Sequence, residues 1–297
     1  MYKIKQIPED FIVKEIINLK KKIKGEYSYF RLKKKNWNTM DVVKELSKRL
    51  KLPEKNIKYA GLKDKNAVTE QYISIKNFKE IKFKIKDVEI KKIGEGSNPI
   101  KLGGLKENYF KITIRNLTAK KILRPKKLIN YFDTQRFSNK NIKIGKALLK
   151  RDYRELCELL ELKNKEEIFR FDRKILRFAL NSYQSYIFNK ATKEYLKEYK
   201  SGTLPLINFD TKFKNKVIES IYTDIMEKER IKKEDFIFRE MPFLIGESKE
   251  RKIFVSVKSF KYKYGKDELN KGKIKCTLEF VLPKGSYGTL FVKNLFS

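Results

Sequence analysis

Tyr59-Ala60-Gly61-Leu62-Lys63-Asp64-Lys65-Asn66-Ala67-Val68-Thr69-Glu70-Gln71 joins a segment of helical periodicity to one of strand periodicity, and the organisation of the chain follows outward from it. Upstream, Met40, Val43, Leu46 and Leu50 fall on one face of a helix predicted over 40–50. Asn38 or Thr39 can cap that helix, and Asp41 favours its first turn. Before it, 11–17 and 26–33 read as strands parted by Lys20-Lys21-Lys22-Ile23-Lys24-Gly25, which is either a phosphate-contacting loop or a solvated turn. Downstream, Tyr72–Ile75 is a short strand, Phe83–Ile90 and Tyr109–Arg115 alternate as strands, and Pro125 suits the first turn of a helix ending near Tyr131.

Further along, Leu176, Leu180, Tyr183, Ile187 and Ala191 recur at helical spacing in a segment running to about Tyr199, and Ser201-Gly202 ends it. The tail returns to period two. Ile253, Val255 and Val257 alternate, and so do Ile274, Cys276, Leu278 and Phe280 with Lys273, Lys275, Thr277 and Glu279 opposite, the pattern of a half-buried antiparallel sheet. Strands, helices, strands predicts an α+β fold. Residues 1–150 and 251–297 form its main domain, interrupted by a more helical insertion over 151–250.

Seventy-two Lys plus Arg stand against 37 Asp plus Glu, a net charge of +35. Such a chain attracts polyanions, nucleic acid above all, with a basic membrane-surface protein as the competing class. An AT-rich coding bias would enrich lysine without requiring the shortage of acids. No apolar run approaches a membrane span and no leader pattern precedes Met1-Tyr2-Lys3, so a soluble cytoplasmic protein is expected. The chain has no histidine, which excludes His-based acid–base catalysis, His metal ligands and Ser-His-Asp triads. Cys157 and Cys276 are too few for a Cys-rich zinc site and read as buried apolar groups. Carboxylates, Lys, Arg, Tyr, hydroxyls and amides remain for chemistry.

Three segments could use them. In the first, Gly61 permits an unusual backbone turn and Asp64 follows between two lysines, whose charge keeps a carboxylate ionised. Asp64 is then a nucleophile or base on a loop, or the side-chain acceptor of an ordinary surface turn. In the second, Asn130-Tyr131-Phe132-Asp133-Thr134-Gln135-Arg136-Phe137 groups aromatics that stack on bases, amides that read base edges and a guanidinium for phosphate; equally, Phe132 and Phe137 are core and Arg136 a surface ion partner. The third, Leu282-Pro283-Lys284-Gly285-Ser286-Tyr287-Gly288-Thr289, is a hairpin loop between two C-terminal strands or a rigid mount for a stacking Tyr287. Gly94-x-Gly96 and Gly103-Gly104 lack the strand-to-helix context of a phosphate loop and read as turns.

Taken together, the segments resemble the TruD family of tRNA pseudouridine synthases. The matches begin at Pro8-Glu9-Asp10-Phe11-Ile12-Val13-Lys14-Glu15 and run through Asn36-Trp37-Asn38-Thr39, Ala60-Gly61-Leu62-Lys63-Asp64-Lys65 and Thr69-Glu70-Gln71. They continue through Asn130-Tyr131-Phe132, Gln135-Arg136-Phe137, Ser182-Tyr183-Gln184-Ser185-Tyr186-Ile187-Phe188-Asn189 and Leu282-Pro283-x-Gly285-Ser286-Tyr287. They occur in the family's order. Asp133 and Ser138 stand where glycine is usual, Gly288 where alanine is usual, and Val292-Lys293-Asn294 lacks the usual Arg-Glu.

The resemblance implies a pseudouridine-synthase fold, with a mixed, mainly antiparallel central sheet flanked by helices and a TruD-type insertion domain. It implies isomerisation of uridine, usually uridine 13 of tRNA, with base flipping, no cofactor and no metal. Asp64 would be the essential carboxylate. Phe132 would stack on the target uracil, Asn130 would bond its edge or hold the loop, Phe11 and Tyr287 would contact substrate, and Lys5 would keep Asp64 ionised. Tyr183 and Gln184 are expected to serve helix packing or a hydrogen-bond network. Transfer RNA is the expected partner and a monomer the expected state. The rival readings are pseudouridylation of another tRNA position or another RNA, a catalytically inactive RNA-binding or chaperone relative, a ribosome-associated basic protein, and an RNA methyltransferase, which would need a donor-binding glycine loop.

Overall fold

A computed structural model describes residues 1–137, 139–246 and 248–296. Ser138, one of the departures noted above, lies outside them. The chain divides into two compact units, one made of 1–128 and 256–297, the other of 129–255.

The first unit is built on a mixed sheet. Its strands β1 (Phe11–Ile16), β2 (Tyr27–Lys35), β3 (Ile57–Tyr59), β4 (Val68–Lys76), β5 (Val88–Gly96) and β6 (Glu107–Leu117) are joined by Lys258–Lys266 and Ile274–Pro283. The spatial order is Lys258–Lys266, Ile274–Pro283, β6, β1, β4, β2, β5, with β3 paired to β4. β1 and β4 run parallel, Ile12 opposite Val68, and the other pairings are antiparallel. Alternation in Ile274–Pro283 buries Cys276, Leu278, Phe280 and Leu282 and leaves the residues between them on the wetter face.

Helix α1 spans Thr39–Leu50. Asn38 caps it, accepting the Asp41 amide at 2.7 Å. Its buried face is Thr39, Val42, Val43 and Leu46, packed on Phe30, Leu32, Ile57, Ile73 and Ile75 of the sheet. Met40 and Leu50, expected on that face, lie at its margin.

Several elements differ from the sequence reading. β5 starts at Val88, so Phe83 precedes it, and Gly94 and Gly96 are in the strand, not in a turn. A bulge there sets Gly94 at φ +146°, and a side chain at Gly96 would meet the Tyr29 hydroxyl at 2.2 Å. No helix follows Pro125; Lys127–Ile129 is a short strand. Lys258–Lys266 is an edge strand whose lysines alternate with aromatics. The segment after Pro283 leads into a helix, Gly288–Phe296, and not into a hairpin. Phe291 and Val292 anchor that helix in the core, Phe291 4.3 Å from the Phe280 ring centroid. Cys157 is only half-buried, whereas burial pushes the Cys276 thiol up to about 11.

The second unit is mainly helical. Its helices are Asn139–Lys150, Tyr153–Leu160, Lys165–Arg170, Arg173–Tyr195 and Lys216–Glu229, with an antiparallel pair formed by Thr203–Leu206 and Lys249–Lys252. Asp172 caps the long helix, which buries Leu176, Leu180, Tyr183, Ile187 and Ala191. Beside that row lies Glu229. It accepts from the Tyr183 and Tyr186 hydroxyls, at 3.1 and 3.2 Å, and from Lys146 and Lys190, at 2.6 and 2.5 Å. Burial would raise its pKa, but the two ammonium groups outweigh burial and hold it at about 2. Gln184 donates to the Ile207 carbonyl at 2.7 Å.

Candidate active site

In the first unit, Lys5, Phe11 and Asp64 come together. Lys5 Nζ is 2.6 Å from Asp64 Oδ2 and 4.2 Å from the centre of the Phe11 ring. The Asp64 side chain is 44% exposed, so its carboxylate is paired yet open to an incoming group. Lys5 holds a left-handed backbone conformation, φ 55°, which is uncommon and strained for a side-chain-bearing residue.

The loop bearing Asp64 is fixed by buried side chains from four separate elements. Gln71 on β4 donates to the Gly61 carbonyl at 3.2 Å. Thr39, at the start of α1, accepts the Lys63 amide at 2.9 Å and donates its own proton to Gln71 at 2.8 Å. Lys63 turns its ammonium inward to Glu15 on β1, at 2.5 Å, and the second Glu15 oxygen accepts the Tyr72 amide. Lys34 on β2 donates to the carbonyls of Trp37, Lys63 and Asp64. Glu15, Lys34, Thr39 and Gln71 are all under 5% exposed. Gly61 itself is not in the left-handed region, and a side chain there would find ordinary contacts, 3.5 Å from Leu105 Cδ2. The turn expected from its flexibility is set by this clamp instead.

The opening motif has matching partners. Asp10 binds Arg115 Nε through both oxygens and accepts the Ile7 amide; Arg115 also reaches Asp267 and Glu268. This hub pins the segment before Phe11 to β6. Phe11 packs edge-on against Phe110, ring centroids 6.3 Å apart. Tyr287 is half-buried, and its carbonyl accepts the Phe291 amide at 3.2 Å. The next residue, Gly288, lies so close to Phe110 that a side chain would meet its ring at 2.8 Å, which accounts for glycine where alanine is usual.

Asn130 and Phe132 belong to the second unit, where both are buried. Asn130 Nδ2 donates to the Lys252 carbonyl at 3.0 Å, while Arg251 donates to Asn130 Oδ1 at 2.7 Å and to its carbonyl at 3.0 Å. The Arg251 guanidinium lies 4.0 Å from the Phe132 ring centre, with Arg136 at 5.0 Å and Phe188 edge-on at 5.6 Å. Asn189 grips the Phe132 backbone from both sides, at 2.9 Å each. Arg136 therefore stacks on aromatic rings, and it also lies 5.9 Å from the Phe178 ring centre.

Glu15, Lys34, Asn189 and Arg251 carried no expected site role, and Lys63, expected to act on Asp64 through its charge, turns to Glu15 instead. Glu15 and Asn189 stood inside quoted motifs, a signal that went unused. Lys34 and Arg251 lie in ordinary basic runs. Among the described residues, no group of three or more Asp, Glu or Cys could hold a metal ion, and no helix is long and apolar enough to cross a membrane.

A carboxylate on a clamped loop, paired to a lysine beside an aromatic ring in a strongly basic α+β chain, is an arrangement that suits an enzyme acting on RNA. The family model for tRNA pseudouridine synthase D (TruD) matches residues 2–173 and 198–295, and the chain belongs to this family. The tRNA pseudouridine synthase D of Aquifex aeolicus is 30% identical over 376 positions, covering 99% of this chain and 98% of the relative. The Methanocaldococcus jannaschii protein named probable tRNA pseudouridine synthase D 2 is 31% identical, and the match covers 99% of this chain and 91% of the relative. Among solved structures, a TruD crystal structure from Methanosarcina mazei superposes with a TM-score of 0.73 at 24% identity, covering 98% of this chain and 92% of that one. It establishes the α+β fold. An alignment 376 positions long against 297 residues also means that the Aquifex protein carries at least 79 residues with no counterpart here.

Proposed function

We propose that this chain isomerises uridine to pseudouridine in tRNA, with Asp64 as the essential carboxylate. The N1–C1′ bond of the target breaks, the uracil turns, and C5 bonds to C1′; the C5 proton is lost and N1 gains one, so no small molecule is consumed or released. A stacked base is out of reach, and the uridine must flip out of its helix first. Asp64 then attacks the sugar or base, or removes a sugar proton. The observation that carries this reading is the Asp64 carboxylate, exposed on a clamped loop and ion-paired at 2.6 Å to Lys5. Lys5 places a positive charge beside that carboxylate. Phe11, Phe132 and Tyr287 contact the substrate, and Asn130 shapes the turn that carries Phe132. The +35 charge grips tRNA phosphates. The finer readings are uridine 13 as the target, action as a monomer without a cofactor in the cytoplasm, and 151–250 as the insertion domain.

The test is incubation with unmodified tRNA transcript and mapping of pseudouridine. Wild type is expected to modify one uridine. Asp64→Asn and Asp64→Ala are expected to be inert while still binding tRNA. Turnover in either variant removes Asp64 from the mechanism, and an inert wild type that binds tRNA favours the inactive RNA-binding reading.

A further inference from the structure

Lys34 is a buried cation that the reaction as described does not use. It sits on β2, opposite Thr69 of β4 and Val88 of β5, and is 1% exposed. Its ammonium has three protons, and three main-chain carbonyls converge on it: Trp37, Lys63 at 3.4 Å and Asp64 at 3.0 Å. None of these acceptors is a carboxylate. A buried ammonium whose hydrogen bonds run to main-chain carbonyls is costly to keep.

We propose that Lys34 is a positioning residue for Asp64, its ammonium drawing the carbonyls of residues 63 and 64 inward so that the Asp64 side chain is aimed at the substrate. This rests on Asp64 being the essential carboxylate. The other contacts of the loop hold Gly61 and Lys63 through Gln71, Thr39 and Glu15. Lys34 alone of this set holds the Asp64 main chain, two bonds from the Cα–Cβ bond that sets the direction of the carboxylate. An ångström of misdirection at a reacting group costs about a hundredfold in rate. Neither an apolar residue nor a neutral amine, which has two protons and a lone pair, can satisfy three carbonyls. Burial lowers the Lys34 pKa to about 8, while the carboxylates of Asp64 and Asp41 oppose that shift and Lys63 adds to it. The device therefore disengages in mildly alkaline solution.

The experiment compares wild type, Lys34→Met, Lys34→Arg and Asp64→Asn in pseudouridine formation on a tRNA transcript. Lys34→Met is expected to lower kcat about 30- to 100-fold with KM for tRNA within twofold. Wild-type kcat is expected to decline from pH 7.5 to 9, whereas Lys34→Arg, charged throughout, stays flat. Wild-type kcat in Lys34→Met, or a loss confined to KM, overturns the proposal. If Lys34→Met does not fold, the pH profiles decide: a flat wild-type profile, or parallel declines in wild type and Lys34→Arg, overturns it. Activity in Asp64→Asn would instead sink the reading of Asp64 itself.

Discussion

The Asp64 loop and the Asn130–Phe132 turn place burial in opposite positions. In the loop the candidate side chain is open to solvent and its supports are buried: Glu15, Lys34, Thr39 and Gln71 fix the backbone from below. In the turn the candidate side chains are themselves buried, and Arg251 and Asn189 hold them by guanidinium stacking and amide hydrogen bonds. A reacting group gains from a rigid mount with an open end, because its geometry must be set before the substrate arrives. A stacking group needs a shaped environment, and Arg251 supplies it by serving Asn130 and Phe132 at once.

The largest effect that could break this contrast is at the open end. Asp64→Asn keeps the size and position of the side chain but removes its charge, and kcat is expected to fall by about 10³-fold or more with little change in melting temperature. A comparable loss of stability would mean that Asp64 belongs to the scaffold. Its buried support behaves the other way. Lys63→Met strips Glu15, 0% exposed at its side chain, of its ion partner, and a stranded buried charge costs about 3–5 kcal/mol. The double variant Lys63→Met, Glu15→Gln is expected to regain part of that loss in urea unfolding; additive losses would show that the pair is not coupled.

How much of this could be read beforehand depends on the range of the interactions. Helix α1 was legible because its cap at Asn38 and its apolar spacing are local. The Asp64 motif was legible as a contiguous string. The clamp and the Arg115 hub were not: Lys34, Glu15 and Arg115 meet partners 30, 48 and 105 positions away, and such pairing leaves no local pattern. Lys258–Lys266 escaped notice because an edge strand tolerates lysine at alternate positions. The helix Gly288–Phe296 looked like a strand because a short apolar run has no decisive period. Pro125 suggested a helix start, but the chain beyond it pairs as a strand: Val257 donates to the Lys126 carbonyl at 3.2 Å.

A smaller change sharpens the picture of the turn. Arg251→Met keeps apolar contact with Phe132 but removes the two hydrogen bonds to Asn130 and the charge placed over Phe132 and Phe188. The expected result is a tenfold to hundredfold loss of kcat, with about 1–3 kcal/mol lost from unfolding of the second unit. Full activity would mean that the Phe132 environment does not depend on Arg251.

The smallest expected effects come from the two buried charges, which titrate with opposite sign. Lys34 has a folded pKa of about 8, below the ordinary 10.5. The unfolded chain binds the extra proton between those values, so wild-type stability rises with pH across that window, by at most about 3 kcal/mol. Measured as the difference from Lys34→Met, the gain should appear between pH 8 and 10, where activity is falling; stability and activity moving together would contradict a costly positioning cation. Glu229 is the converse. Its folded pKa of about 2 lies below the ordinary 4.5, so its contribution is whole above pH 4.5 and is lost as pH falls toward 2. Lys146 and Lys190 are partly exposed, which reduces that contribution to about 2 kcal/mol. The difference in unfolding free energy between wild type and Glu229→Gln should therefore shrink from pH 5 to pH 3. A difference independent of pH would mean that Glu229 acts through packing and the Tyr183 and Tyr186 hydrogen bonds, and not through its charge.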